Sequence, residues 1–322
     1  MSLDVVPFEG RLVERAAALL AAAHESAAGL DLGDVDVARR LVEGWQDTGP
    51  AVAAVEDGTL LGFMAATLAD RHECQRARIR MHQHAAAHGA DREIYRRLYG
   101  VLAGRLAELG AFEHTVVVSA SHDDVVTCLF ELGFGADQIK GLRPVSAPIR
   151  TVRDVRLREA DAGDMEDLLR LTVELQRFHA EPPALRPAFV DLRSIRDGFH
   201  AALLDENQLL LVAEEDGRLT GMMQAGPDNR YVSTATIGIA VVAASVRSKG
   251  VGTALLSGVV GWAADHGFGT CGVGWTSANL VSDAFWRGHG FTPVGYELTR
   301  LIDPRVSWAD AHLDYRYHLP MP

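Results

Sequence analysis

Cysteine is scarce in this chain of 322 residues. The three cysteines, Cys74, Cys128 and Cys271, lie far apart and form no Cys-x-x-Cys pair. Without such pairs a disulfide framework or a zinc ribbon is not expected, and a reducing, cytoplasmic location is favoured. The first ten residues contain Asp4 and Glu9 but no basic segment, so we expect no secretory signal.

Long apolar runs and a positive charge excess are also absent. No run approaches the ~20 apolar residues that cross a bilayer, so neither an integral membrane protein nor a membrane partner is expected. The formal net charge is −12 and neither half is basic, which argues against nucleic-acid binding. The hydrophobic share of 48% is ordinary for a folded protein, and the length predicts about two domains.

The chain does contain an internal repeat. Three pairs of segments resemble each other, in the same order and at spacings of 157 to 159 residues. The pairs are Asp57-Gly58 with Asp216-Gly217, Gly110 with Gly267, and Leu132-Gly133-Phe134 with His289-Gly290-Phe291. Asp-Gly between apolar runs predicts a hairpin turn, because both central residues need a positive φ. Three ordered pairs predict a duplicated domain.

The element order of the second half predicts its fold class. We expect a strand, two helices, three strands, a helix, a strand, a helix and a final strand pair through residues 292–302. This order predicts an α+β (mixed α/β) fold with a mostly antiparallel sheet flanked by helices. The first half shows the same order more weakly. Pro144 and Pro148 mark the joint, so the predicted domains are 1–147 and 152–322.

The segment after a Val-rich predicted strand carries the sharpest chemical signal. It places two cations, Arg247 and Lys249, and two glycines, Gly250 and Gly252, directly before an apolar helix. The N–H groups and dipole of a helix N-terminus favour an anion, and glycines allow a phosphate close to the backbone. The motif of a P-loop is missing, and Leu255 breaks a GxGxxG pattern. An anion site is predicted, with a purely structural turn as the alternative.

The Arg247-x-x-Gly250-x-Gly252 pattern resembles the acyl-CoA pyrophosphate loop of the GCN5-related N-acetyltransferases, the GNAT family. Downstream, Asn279, Phe285-Trp286 and Gly290-Phe291 resemble a second motif of that family. The resemblance covers roughly residues 153–302. It implies two tandem GNAT-type domains with splayed sheets, and an acyltransferase that acts on amino groups. The implied reaction moves an acetyl group from acetyl-CoA directly to an amine of a small-molecule acceptor, in the C-terminal domain.

The resemblance also implies which residues hold the cofactor. Pantetheine is expected along the predicted strand and the pyrophosphate on the loop amides. The implied acetyl-CoA-binding residues are Ala240, Val241, Val242, Arg247, Ser248, Lys249, Gly250, Val251, Gly252, Thr253, Asn279 and Trp286. No metal is expected.

The residues that move protons are less evident. The family usually offers a Tyr seven residues after the Asn, but this chain has Trp286, whose indole cannot supply a proton. We expect Trp286 to shape the thioester pocket. The other catalytic candidates are Ser282, Tyr231 and Tyr296 as proton donors and Glu297 as base. His179 and His200 lie on helices that are expected to line the acceptor side, although a lone helical His is more often structural.

The first half lacks the chemistry of the second. Aligned on the repeat, Ala90 replaces Arg247, Glu93 replaces Gly250, Tyr95 replaces Gly252, His122 replaces Asn279 and Leu129 replaces Trp286. Glu93 is expected to face and repel a pyrophosphate. The first domain is therefore predicted to be a degenerate, structural copy. Its cluster of Cys74, His82, His84 and His88 matches no metal motif, and a solvent-facing strand and loop is expected there.

Two other functions compete with an acetyltransferase. The missing Tyr and the lack of a strand carboxylate favour a CoA-binding sensor or scaffold that has lost catalysis. Mycothiol synthase is also a tandem pair of this family, but it is expected to keep the Tyr, so Trp286 argues against it. The chain is expected to be a monomer or a homodimer.

Overall fold

The computed structural model describes residues 3–24, 31–46, 48–71, 74–87, 91–151, 154–188 and 191–306. The chain divides into two compact units. The first unit takes Met1–Gln138 together with Val294–Pro322, and the second takes Ile139–Pro293. The predicted domains follow the sequence repeat. The compact units differ because most of the last strand of each half belongs to the unit of the other half.

The first half begins with a strand and two helices. Its described helices are α1 (Val13–His24), α2 (Val35–Trp45), α3 (Asp91–Glu108) and α4 (Asp123–Glu131). Its described strands are β1 (Asp4–Pro7), β2 (Ala51–Glu56), β3 (Thr59–Ala65), β4 (Thr67–Arg71), β5 (Cys74–Ile79), β6 (His84–Ala86), β7 (Ala111–Ser119) and β8 (Gly135–Pro144).

The second half repeats this order. Its described helices are α5 (Met165–His179), α6 (Leu192–Leu204), α7 (Val251–Asp265) and α8 (Leu280–Gly288). Its described strands are β9 (Arg156–Glu159), β10 (Leu209–Glu215), β11 (Arg218–Pro227), β12 (Thr234–Val242), β13 (Thr270–Thr276) and β14 (Thr292–Leu301). The expected final strand pair is wrong, because one continuous strand, β14, covers that segment. The α+β class is confirmed.

Both predicted hairpin turns are present. Asp57 and Gly58 have φ of 48° and 76°, and Asp216 and Gly217 have φ of 52° and 73°. These angles meet the requirement of a two-residue turn whose twist matches the flanking strands. The other two glycine pairs of the repeat also have positive φ, between 74° and 86°. The sequence repeat is therefore a repeat of backbone conformation.

The second unit is built on one mixed sheet. Its strand order is β8-β13-β12-β11-β10-β9. Strands β9 to β12 pair antiparallel in succession, and β12 pairs parallel with β13. The apolar helix α7 packs against β10 and β11. It buries seven side chains there: Val251, Ala254, Leu255, Leu256, Val259, Val260 and Ala263.

The first unit has two separate sheets instead. One has the order β1-β2-β3-β6, and the other holds β4-β5-β7-β14. A 3₁₀ turn at Met81–Gln83 separates β5 from β6, so the counterpart of β12 is interrupted here. Strand β5 pairs parallel with β7, and β6 pairs with β3. Strand β14 closes the second sheet by pairing antiparallel with β7.

In both units a glycine on a strand packs closely against the central helix. Gly62 on β3 and Gly221 on β11 each leave no room for a Cβ, which would lie 2.6 Å and 2.9 Å from helix side chains. The helix side chains met at these positions are Ile94 and Leu98 in the first unit and Val251 and Leu255 in the second. Ile94 therefore corresponds in structure to Val251, as the repeat spacing predicts.

Candidate functional site

Strands β12 and β13 separate within the second unit. Their parallel register runs from Thr234 opposite Thr270 to Ile237 opposite Val273. Strand β12 continues to Val242, but no later residue of it pairs with β13 in the part of the chain that is described. On its other edge β12 stays paired with β11 up to Val242. The unpaired edge at 238–242 thus offers backbone donors and acceptors to a ligand.

A β-bulge marks the point of separation. Gln224 of β11 lies opposite Ile239, and Ala225 lies opposite Ile237, so Gly238 is an extra residue in β12. A bulge bends its strand and strengthens the local twist. We attribute the divergence of the two strands to this bend, and it agrees with the splayed sheet expected from the sequence.

The glycine loop, residues 243–250, connects β12 to α7. A 3₁₀ turn spans Ala244–Val246, and the chain then passes through Ser248 with φ of 61° and Gly250 with φ of 87°. Gly250 is the N-cap of α7 and offers no side chain to its first turn. Among the described residues, none accepts a hydrogen bond from the N–H groups at 251–253. Three unpartnered N–H groups at a helix N-terminus form an anion site.

Arg247 and Lys249, the two positive side chains of the loop, are each held in place by neighbouring residues. The Arg247 guanidinium lies 4.2 Å from the centre of the Phe178 ring, and its Nε donates to the carbonyl of Val242 over 3.1 Å. Lys249 Nζ donates to the carbonyl of Ser245 over 2.9 Å. Stacking on an aromatic face favours a guanidinium and restricts its rotation. The terminal nitrogens of Arg247 have no recorded partner among the described residues.

Helix α5 supplies two residues that sequence reasoning missed. Phe178 stacks under Arg247, and Glu174 Oε1 accepts from the N–H of Ala244 over 2.6 Å. Both come from a helix about 70 residues earlier in the chain, where neither stands in a motif. Their spacing of four residues places both side chains on one face of the helix. This shared face is the one feature of the sequence that could have linked Glu174 and Phe178.

The start of α7 packs against α8. A Cβ at Gly252 would lie 3.3 Å from the Phe285 ring, and Thr253 Oγ1 lies 3.1 Å from His289 Nε2. A side chain at Gly252 would therefore press on Phe285. The second sequence motif therefore lies beside the first.

Asn279 begins α8. It is buried, and its Oδ1 accepts from the N–H of Ser282 over 3.1 Å, so it acts as the N-cap. Ser282 is half-buried in the first turn. Trp286 is 5% exposed and lies edge-on to Phe285 and Phe291, with ring centres 4.8 Å and 5.3 Å away. Trp286 is thus fixed in an aromatic cluster.

The remaining candidates lie elsewhere. Tyr296 and Glu297 belong to the first unit, where Glu297 forms an ion pair with Arg78 at 2.7 Å. Tyr231 precedes β12 at the end opposite the glycine loop, and burial raises its pKa to about 12. His179 ends α5, and burial lowers its pKa. His200 is exposed on α6.

The histidine cluster of the first half is not the expected solvent-facing strand. His82 lies in the 3₁₀ turn, and His84 is buried on β6. The expectation failed because that turn interrupts the strand. His88 and the side chain of Cys74 lie outside the described residues. No group of three metal-binding side chains forms among those that are described.

Glu93 also differs from expectation. It pairs with Arg97 at 2.7 Å on the outer face of α3, and no repulsion at an anion site results. Tyr95, at the position of Gly252, is buried instead and bonds to His84 Nδ1 at 2.6 Å. In the first unit the Tyr95 side chain therefore fills the position that Gly252 leaves open in the second. Ala90, the counterpart of Arg247, lies outside the described residues.

Comparisons with known proteins agree with this geometry. Residues 171–291 match the model of the acetyltransferase (GNAT) family. No curated protein sequence matches this chain significantly. None of the described helices combines the length and apolar character that a membrane crossing needs.

Solved structures share the fold over nearly the whole chain. A GCN5-related N-acetyltransferase from Sphaerobacter thermophilus has a TM-score of 0.61 at 17% identity, covering 94% of this chain and 96% of that one. A tandem GNAT protein from the clavulanic acid biosynthesis pathway has a TM-score of 0.56 at 14% identity, covering 93% and 98%. A GNAT-family acetyltransferase from Colwellia psychrerythraea has 0.52 at 12%, covering 93% and 100%. At these identities the likeness concerns the fold.

Proposed function

We propose that the second half transfers an acetyl group from acetyl-CoA to an amine, because residues 171–291 match the model of the GNAT acetyltransferase family. One observation supports this proposal above the others. The unpaired edge of β12 leads directly into the glycine loop, so a strand-like ligand arm and an anion would be bound side by side. An extended pantetheine arm joined to a pyrophosphate has this combination of chemistry.

The residues of the second unit fit acetyl-CoA. The N–H groups at 251–253, with the dipole of α7, would hold the pyrophosphate, and Arg247 would add charge-assisted hydrogen bonds. The backbone of 240–242 would pair with the pantetheine amides, since its edge is free. Acetyl-CoA supplies the acetyl group as a thioester. Asn279 would act by fixing the start of α8, because its side-chain oxygen already caps that helix.

Trp286 would position the reacting end and transfer no proton. Its indole can donate one hydrogen bond, but its N–H is not an acid at useful pH. The ring is held by Phe285 and Phe291, which makes it a rigid wall. Water or the Ser282 hydroxyl would then protonate the leaving thiolate. A missing positioned acid costs roughly 10²–10⁴-fold in rate, so slow turnover is expected.

The acceptor would be a small-molecule amine. The strand 234–242 carries no Asp, Glu or His, so deprotonation of the ammonium falls to water or to groups outside this strand. A CoA-binding sensor without catalysis is the second candidate, and it is favoured by the Trp at position 286, where the GNAT motif usually has a Tyr, and by the lack of Asp, Glu and His on strand 234–242.

One experiment separates the two candidates. The full chain is mixed with acetyl-CoA and a panel of primary amines, and free thiol is measured with and without each amine. An acetyltransferase releases thiol in proportion to one or more amines and yields the matching amide by mass spectrometry. A sensor binds acetyl-CoA as tightly as an acetyltransferase would, but it releases no thiol above the rate measured in buffer. The Gly250→Glu variant should release none in either case.

A further inference from the structure

The first unit contains a cavity of about 300 Å³ at the counterpart of the acetyl-CoA cleft. His84 on β6 and His122 before α4 line it. His84 corresponds to Ala240 by strand register, and His122 corresponds to Asn279 by the repeat spacing. His24, at the end of α1, lines it as well. Because Tyr95 occupies the place of Gly252, the cavity has no phosphate loop beside it. Its volume is at the lower end for ligand pockets.

The three imidazoles each use one ring nitrogen on a backbone carbonyl. His84 Nε2 lies 2.8 Å from the carbonyl of Val117, and His122 Nε2 lies 2.9 Å from that of Ala23. A backbone hydrogen bond at Met81 holds His24 in the same way. Carbonyls only accept, so these nitrogens carry the protons and each Nδ1 is left as an acceptor.

The Nδ1 acceptor of His24 has no partner in the described part of the chain. His84 Nδ1 accepts from the Tyr95 hydroxyl at 2.6 Å. His24 is only 2% exposed, and its Nδ1 is buried without a hydrogen bond. His122 makes no capping bond to α4. The rings of His24 and His122 lie 5.2 Å apart. An unsatisfied buried acceptor is costly, and a ligand that donates hydrogen bonds relieves the cost.

The charge around the cavity favours a cation. Burial lowers the pKa of His24 to about 3 and that of His84 to about 4, so both rings are neutral at pH 7 and do not repel a positive ligand. The exposed carboxylate of Asp124 also lines the cavity. Leu19, Ala22 and Val125 give the cavity an apolar wall, and Ser121 and Tyr95 line it as well. Acceptors, a carboxylate and an apolar wall together fit an ammonium head on a short apolar body.

We propose that this cavity binds a small primary ammonium ion with an apolar body, independently of acetyl-CoA. The degenerate first half would then be a ligand-binding domain for an amine. This proposal does not depend on acetyl transfer in the second half, because it rests only on residues of the first unit.

The test uses the full chain and a matched pair of probes, benzylamine and benzoate, which share a ring and differ in the charge and donor character of the head group. Calorimetry at pH 7.5 should show benzylamine binding, and benzoate should bind at least tenfold more weakly. Asp124→Asn should weaken benzylamine binding at least fivefold. Asp123→Asn is the matched control, since Asp123 is an exposed neighbour that does not line the cavity.

Two further measurements locate the site. Ala22→Leu, at an exposed position on the cavity wall, should reduce benzylamine affinity at least tenfold without altering acetyl-CoA affinity. Amide hydrogen exchange should slow at 84–86 and 121–125 when benzylamine is present. The proposal is overturned by equal binding of benzoate, by equal effects of the two aspartate variants, by exchange changes confined to the second unit, or by no benzylamine binding at 10 mM.

Discussion

The two halves share one frame and differ in the segment that precedes their central helix. In the second half, residues 242–250 carry two cations and turn at Ser248 and Gly250 before α7 begins. In the first half, α3 begins at Asp91, three residues ahead of Ile94, the counterpart of Val251. Extra helix therefore replaces the end of the loop. The shared frame of strands and helices therefore persists without the anion site.

The glycines with positive φ show where the two halves differ. Among the described residues, seven glycines have positive φ, and six of them form the three repeat pairs. The seventh, Gly250, has Glu93 as its counterpart. The paired glycines serve turns that both halves need, whereas the unpaired one serves the loop alone. A positive φ that is kept in only one copy of a repeat thus points to the functional copy.

Replacing Gly250, the glycine without a glycine counterpart, should abolish acetyl-CoA binding by the second half. Gly250→Glu strains a backbone at φ of 87° and adds a negative charge at the N-terminus of α7. Acetyl-CoA affinity measured by calorimetry should fall more than 100-fold. Gly261→Glu adds the same charge at an exposed, open position of α7 and should leave affinity unchanged. Equal affinities for the two variants would contradict the assignment of the loop.

Removing the loop's anchored cation should have the next largest effect. Arg247→Leu deletes the guanidinium but keeps an apolar side chain against Phe178. A charge-assisted hydrogen bond contributes about 1.5–3 kcal/mol, so acetyl-CoA should bind roughly 10- to 100-fold more weakly. Phe178→Leu should cost less, because the charge remains. A larger loss in the Phe178 variant would show that the ring itself binds the cofactor.

Acid should weaken the first unit more than the second. Burial lowers the pKa of His24 to about 3, and those of His84 and His114 to about 4, whereas the unfolded value is near 6.5. The unfolded chain then binds more protons between pH 6.5 and 4, so stability is lost as pH falls through that range. Each group contributes up to about 1.4 kcal/mol per pH unit.

Hydrogen exchange followed against pH should report this loss in α1, α3 and β7 before it appears in α7. His114→Gln should flatten the dependence, since it removes one such group while keeping a polar side chain near Tyr99. A pH profile identical in the two units would contradict the prediction.

The smallest effect is expected at Trp286, where the second half departs from the GNAT motif that it resembles. Trp286→Phe keeps an aromatic wall between Phe285 and Phe291, so acetyl transfer should fall less than about fivefold. Trp286→Ala opens a cavity in that cluster and should mainly weaken acetyl-CoA binding. The rates are measured against pH with the amine identified in the thiol-release screen. Loss of all turnover in the Phe variant, with affinity intact, would make the indole N–H essential.

The sequence predicted those features that depend on local backbone chemistry. The Asp-Gly turns and the glycine loop were predictable because a positive φ restricts which residues occur there. Asn279 was predicted as part of the second motif, although its bond to the Ser282 N–H was not. The His122 counterpart likewise precedes α4.

Long-range features were not predictable. The alternation in β8 and β14 does not specify which sheet edge each strand joins, so the exchange of last strands left no signal. Glu297 lies on β14, which pairs with β7 in the first unit, and its ion pair with Arg78 joins residues 219 positions apart. The burial of His84 depends on a 3₁₀ turn that interrupts a strand-like pattern.

The number of acetyl-CoA molecules bound by each chain shows whether the cofactor binds in the second half alone. Calorimetric titration of the full chain should give one site, because the glycine loop occurs in the second half and Tyr95 fills its counterpart in the first. In the Gly250→Glu variant the site should disappear and no weaker one should remain. Two sites in the parent chain, or one site that survives in the variant, would contradict the account.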